Sequence, residues 1–231
     1  MRRRDCAALD SAGLNLQAVF NLDELPAQMV AELRRRFDPG ARFRQLILIG
    51  HAGKTLWASV RASGIASENP IDDFSVRTVG QWFAQQFADN CREIVYPGSN
   101  APDLQALGKI AGWHHASPLR IGIGATWGTW YAYRVVLLAD TELEPSQPIE
   151  SESPCPGCRH KICIASCPGS ALAAGDLDLG KCAAYRKQAD SSCKATCPAR
   201  VSCPVGSAHR YCDEQIRHAY SISMKSIERH C

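Results

Sequence analysis

Apolar residues recur at helical spacing over residues 69–90. Ile71, Phe74, Val79, Trp82, Phe83 and Phe87 carry the pattern, and Asn69 with Pro70 supplies a start signal. PAQMVAELRRRF predicts a second helix, with Pro26 in its first turn and Met29, Val30 and Leu33 on one face. LNLQAVFN (14–21), RQLILIG (44–50) and REIVYPG predict strands; the second is a short buried one and the third ends in a turn. APDLQALGKIAGW predicts another helix, and the β-rich run TWYAYRVVLLAD (129–140) a central strand. Helices and strands thus alternate over the first 140 residues, which implies a sheet with helices packed on it. The pattern leaves the strand order open. After residue 154 the periodicity weakens, short helical pieces sit between cysteines, and a last helix is expected from about Ala208 to Glu228.

Composition changes at the same place. Of 231 residues, the first 154 hold 15 Lys/Arg, 17 Asp/Glu and two cysteines; residues 155–231 hold 11 Lys/Arg, 6 Asp/Glu and ten cysteines. The polar, proline-punctuated TELEPSQPIESESP marks the boundary. The expected fold class is α+β, with a sheet-and-helix domain over residues 1–145 and a small cysteine-rich domain over 146–231. The longest fully apolar run is about five residues, so no transmembrane helix and no membrane partner are expected. The start MRRRDCAALDSAG has the basic residues of a signal peptide without its apolar stretch, and a cytoplasmic protein is the expectation. Arg2-Arg3-Arg4 reads as a solvated terminus.

Three motifs are set aside. GHAGKTL (50–56) ends like a phosphate-binding loop but is two residues too short between its glycines, and reads as a strand-to-helix turn. GIGATWG (122–128) places its third glycine one residue late for a dinucleotide fingerprint and reads as a bend between strands. His114-His115 reads as a turn or a half-buried hydrogen-bonding site, since adjacent side chains diverge on most backbones.

The cysteines carry the chemistry. The ladder is Cys155-x2-Cys158-x4-Cys163-x3-Cys167-Pro, then Cys182, Cys193-x3-Cys197-Pro, Cys203-Pro and Cys212. Cytosolic thiols stay reduced, so metal binding leads over disulfides. Iron–sulfur clusters take four thiolates, and two-cluster ferredoxins lend the fourth cysteine of each run to the other cluster. The element C-x3-C-P occurs twice, at 163–168 and 193–198, as a duplicated cluster domain would have it. Zinc sites pair C-x2-C twice, and only one such pair is present. The metal candidates are Cys155, Cys158, Cys163, Cys167, Cys182, Cys193, Cys197 and Cys203, for one or two [4Fe–4S] clusters. Cys6, Cys91, Cys212 and Cys231 take no assigned role.

GTWYAYRVVLLADTELEPSQP leading into CPGCRHKICIASCPGSAL and KCAAY resembles the epoxyqueuosine reductases, and SNAPDLQALGKIAGW is similar to the stretch the family places just before. These are cobalamin-dependent iron–sulfur enzymes related to corrinoid reductive dehalogenases and, through the first domain, to CblC-type cobalamin-processing proteins. The resemblance covers roughly residues 90–200. It implies a nitroreductase-like domain followed by a ferredoxin-like domain with two [4Fe–4S] clusters that deliver electrons to cobalamin. Carried over, it implies one cluster on Cys155, Cys158, Cys163 and Cys197. The other would use Cys167, Cys182 and Cys193, with Cys203 or Asp190 completing it where the family has a further cysteine. The sequence departs from the family at Asp190, in the x4 gap after Cys158, and at Ser99, where the family has its acidic proton donor. The C-terminal helical repeats of some members have no counterpart here.

The expected function is therefore that of an iron–sulfur redox protein passing single electrons, a corrinoid-linked reductase altered at its active site. An electron-donor protein is the expected partner, with a corrinoid or other small molecule as ligand; nucleic acid is not expected, because no recognition module is visible. Two alternatives stay open: a cobalamin carrier or reducer without substrate catalysis, and a zinc-stabilised binding module without redox chemistry.

Overall fold

The computed structural model describes residues 5–230, so the Arg2-Arg3-Arg4 tract and Cys231 lie outside the described residues. Contacts divide the chain into two compact units. One runs up to Gly112 and resumes over Tyr131–Ile149; the other comprises Trp113–Trp130 and the chain from Glu150 onward.

The first unit is a mixed helix-and-sheet structure. Strands β1 (Leu16–Asn21), β2 (Gln45–Ala52), β3 (Arg92–Tyr96) and β4 (Tyr131–Ala139) form one sheet in the order β1-β2-β4-β3. Every neighbouring pair is antiparallel. All eight residues of β2 are buried, so its continuous apolar run fits a strand covered on both faces. Its register sets Leu46 opposite Leu138 and Ile47 opposite Leu137. A one-residue slip would exchange the faces of these side chains, so their burial fixes the pairing. Gln45 ties the strand ends together: its Oε1 accepts from Thr141 Oγ1 and Leu143 N, and its Nε2 donates to Asn21 Oδ1 and Leu143 O.

Helices α1 (Ala7–Ser11), α2 (Ala27–Phe37), α3 (Thr55–Ala62), α4 (Pro70–Gln86) and α5 (Leu104–Ile110) complete this unit. Helix α4 packs on β4, α3 and α1. It buries Phe83 completely, while the Phe87 ring just beyond it meets Trp82 edge-on at 5.5 Å. Pro70 stands in its first turn. The GHAGKTL segment is a strand-to-helix turn: β2 runs through Ala52, Gly53 turns at φ 80°, and α3 begins at Thr55.

The second unit has short elements and small cores. Its helices are α6 (Ile162–Ala165), α7 (Leu179–Lys187), α8 (Pro198–Val201) and α9 (Asp213–His230). Asp178 caps α7 by accepting from Lys181 N at 2.9 Å. One apolar cluster gathers Leu119, Leu172 and Ala199; another gathers Trp130, Tyr211 and Ile216, with Tyr220 against it. Two glycine turns cross closely. A Cβ on Gly206 (φ 65°) would lie 2.1 Å from the Trp127 carbonyl carbon, and one on Gly128 (φ 57°) 2.0 Å from Val205 O. In GIGATWG, Gly124 and Gly128 bridge each other antiparallel, so the segment is a bend. Among the described residues no helix is long and apolar enough to cross a membrane.

Candidate metal centre

The eight candidate cysteines all lie in the second unit, and short local structure aims each of them. Cys155 and Cys158 sit on one turn, closed by Cys158 N donating to Cys155 O at 3.2 Å. The x4 gap that follows is taken up by Lys161, which adopts φ 42°, starts α6 and donates from Nζ to Cys155 O at 2.8 Å. Cys163 lies within α6, and Cys167 two residues past its end. Cys197 immediately precedes α8, and Cys203 lies two residues past its end. The two short helices pack on each other.

This arrangement sorts the thiols into two sets of four. Cys155, Cys158, Cys163 and Cys203 line one small enclosed space of about 20 Å³, with Pro118, Ile123 and Val205. Cys167, Cys182, Cys193 and Cys197 line a second, larger cavity of about 390 Å³, with Leu172, Arg186, Arg200 and Tyr220. Electrostatic contact follows the same division. Burial pushes the Cys155 thiol up, and Cys203, Cys163 and Cys158 push it further, against Lys161. Burial raises Cys163 as well, with Cys203 and Cys158 as its thiol neighbours. In the second set burial pushes Cys193 up to about 11, helped by Cys197, Cys182 and Cys167. Cys182 is raised by burial, against the Arg186 guanidinium. Such thiols stay neutral until a cation replaces their protons.

The sorting differs from the one the family resemblance implies, with Cys197 and Cys203 exchanged. The reason is local. Pro198 occupies the first turn of α8, so Cys197-Pro198 is a helix start, whereas Cys167-Pro168 follows a helix end. The structural counterpart of Cys167-Pro168 is Cys203-Pro204. Each short helix thereby carries one thiol to each set: α6 joins Cys163 to Cys167, and α8 joins Cys197 to Cys203. Asp190 is exposed and lines neither space. Among the described residues, no three His, Cys, Asp or Glu side chains gather as they would around one ion. All eleven described cysteines are free thiols; of those outside the two sets, Cys91 is exposed, and Cys6 and Cys212 are half-buried.

Sequence reasoning did not single out two residues beside the second set. Arg186 is buried, with its three hydrogen bonds going to neutral oxygens: Cys193 O (3.0 Å), Ser223 Oγ (2.8 Å) and Tyr220 O (3.1 Å). Tyr220, on α9, is the second. Nothing in the periodicity separates either from a surface residue. The Ser99 turn is exposed in the first unit. The carboxylate at Asp103 accepts from Ala106 N at 2.9 Å and caps α5. His115 Nε2 pairs with Ser151 Oγ at 3.0 Å, and His114 is buried.

No family model and no curated protein sequence matches the chain. Solved structures do. An epoxyqueuosine reductase bound to an epoxyqueuosine-modified tRNA-Tyr stem loop is similar at 12% identity, with a TM-score of 0.56 over 90% of this chain and 66% of the other. The epoxyqueuosine reductase of Bacillus subtilis is similar at 13% identity, with a TM-score of 0.52 over 89% and 66%. A catabolic reductive dehalogenase in complex with 3-bromo-4-hydroxybenzoic acid gives 12% identity and a TM-score of 0.52 over 94% and 33%. The chain thus spans just under two thirds of each of these reductases and a third of the dehalogenase. The tRNA stem loop in the first runs against the expectation of no nucleic-acid partner. At these identities the likeness is one of fold, and that fold is shared with both kinds of reductase the sequence resembles.

Proposed function

We propose that the chain is an iron–sulfur redox protein that holds two [4Fe–4S] clusters in a ferredoxin-like domain over residues 146–231 and passes single electrons. The observation that carries this reading is the division of eight cysteines into two sets of four. Cys155, Cys158, Cys163 and Cys203 would hold one cluster, and Cys167, Cys182, Cys193 and Cys197 the other. Each set then has its full complement of thiolates, and Cys167 and Cys203 play the crossing role of the fourth ferredoxin cysteine. Buried Arg186 supports the second site. A guanidinium out of water needs an anion nearby, and its hydrogen bonds reach only neutral oxygens while it faces Cys182. Four thiolates around iron and sulfide supply that negative charge. The first set is tightly closed, so its thiols must rotate outward to take a cluster.

A cluster supplies reversible one-electron storage; the residues here bind it, exclude water and set its charge environment. The resemblance to epoxyqueuosine reductases supports a corrinoid as the electron acceptor, in a reductase that lacks the family's acid at Ser99. The neighbouring acid, Asp103, is engaged as a helix cap, so epoxide reduction by the family's proton donor is not part of this proposal.

The test is anaerobic purification followed by iron, zinc and cobalt analysis per chain. About eight irons support both sets as cluster sites, and about four leave one. Cobalt near one per chain supports the corrinoid. Zinc without iron overturns the redox reading in favour of a structural clasp.

A further inference from the structure

Helix α9 turns Tyr220, Ser223 and Ile227 toward the cavity that holds the second set of thiols. The spacing i, i+3, i+7 places them on one helix face. Arg186 fixes that face: it donates to Tyr220 O and Ser223 Oγ, and its guanidinium stands 5.3 Å from the Tyr220 ring centre. The Tyr220 hydroxyl lies within hydrogen-bonding reach of both the Cys197 thiol and the Arg200 guanidinium. Arginine only donates, so the tyrosine oxygen accepts from Arg200 and keeps its own hydrogen for the sulfur. Arg200 is itself held by Thr129 O and by the Trp130 ring, 4.5 Å away. Burial raises the Tyr220 hydroxyl far above its ordinary range, so it stays protonated. At the first set the Lys161 ammonium donates to a carbonyl, Cys155 O, rather than to sulfur.

Resting on the cluster reading above, we infer that Tyr220 donates a hydrogen bond to Cys197 Sγ and makes the second cluster the more readily reduced of the two. Reduction adds one electron and one negative charge to the cluster, with no bond made or broken. A donor on a ligand sulfur stabilises the more negative state, and hydrogen bonds to the sulfurs are among the factors that set cluster potentials. Two guanidinium groups near the second set act in the same direction.

The experiment is a redox titration of the anaerobic holoprotein, followed by EPR, in wild type and Tyr220→Phe. Two one-electron couples are expected in wild type. In Tyr220→Phe the higher couple should fall by about tenfold in its reduced-to-oxidised ratio, about 59 mV. The lower couple and the iron content should stay unchanged. Proton ENDOR on wild type in D2O gives a second readout that needs no variant: an exchangeable proton coupled to the higher-potential cluster. Unmoved couples, a shift of the lower couple alone, or no exchangeable proton would overturn the inference. Loss of half the iron in Tyr220→Phe would also overturn it, by assigning the residue a structural role. Wild type that binds no iron would instead refute the cluster reading itself, and with it this inference.

Discussion

The sorting of the thiols makes a prediction that separates it from the pairing implied by family resemblance. Consider Cys155→Ala with Cys203→Ala, and Cys155→Ala with Cys197→Ala. Each double variant keeps six of the eight candidate thiols, so total thiol loss is the same. In the structure Cys155 and Cys203 share a set, so the first variant leaves four thiols on one site and two on the other. Cys155 and Cys197 belong to different sets, so the second leaves three and three. Alanine is preferred to serine because a hydroxyl could still bind iron. The expected result is about four irons and one reduced-cluster EPR signal with wild-type parameters in the first variant. The second should hold fewer than four irons and show no such signal. The converse, an intact cluster surviving only in the Cys155/Cys197 variant, would refute the sorting and restore the pairing drawn from the family. Equal outcomes in both would refute any division into independent sets.

Other expectations test the frame around this site. Gly206→Ala forces a left-handed alanine whose Cβ meets backbone at 2.1 Å. Conformational cost of about 1–2 kcal/mol and overpacking of about 1–3 kcal/mol should lower Tm, and iron should fall toward four as the neighbouring Cys203 is displaced. Unchanged iron and Tm would show that the crossing gives way without consequence. Phe83→Ala empties a fully buried site against the sheet and should cost about 3–5 kcal/mol in urea denaturation; a loss below 1 kcal/mol would refute the packing described for α4. Burial pushes the Tyr133 hydroxyl up to about 12 from its ordinary 10.0. The folded state holds this proton more tightly than the unfolded one, so the contribution is present below pH 10 and lost as pH rises toward 12. Denaturation at pH 9 and 11 should show wild type losing more stability over that interval than Tyr133→Phe; equal losses would contradict the assignment.

Much of the fold was legible because its signals are local. The α4 pattern and the apolar run of β2 need only neighbours in sequence, and both elements formed within a few residues of the expected limits. Helix α3 was not announced, since eight residues carrying Leu56, Trp57 and Val60 are too few to establish a period. The candidate thiols could be chosen by spacing, but their partners could not. Cysteine followed by proline looks the same at a helix start, as at Cys197, and after a helix end, as at Cys167 and Cys203. Only the packing of α6 on α8 tells them apart. Arg186 was hidden for a related reason: its burial depends on α9, some thirty-five residues further along the chain.

The two four-residue helices have one more consequence. Each is a single turn, and at 1.5 Å per residue a four-residue step from Cys163 to Cys167 advances about 6 Å. Ligands of the two clusters would therefore be covalently continuous through one turn of backbone, twice over. Two redox centres so close form a single relay, in which an electron entering at either end is shared before it leaves. Each centre would also feel the charge held by the other, so the second electron would be harder to add than the first. The domain would then work as a graded two-electron reservoir, and damage to one set would change the behaviour of its neighbour.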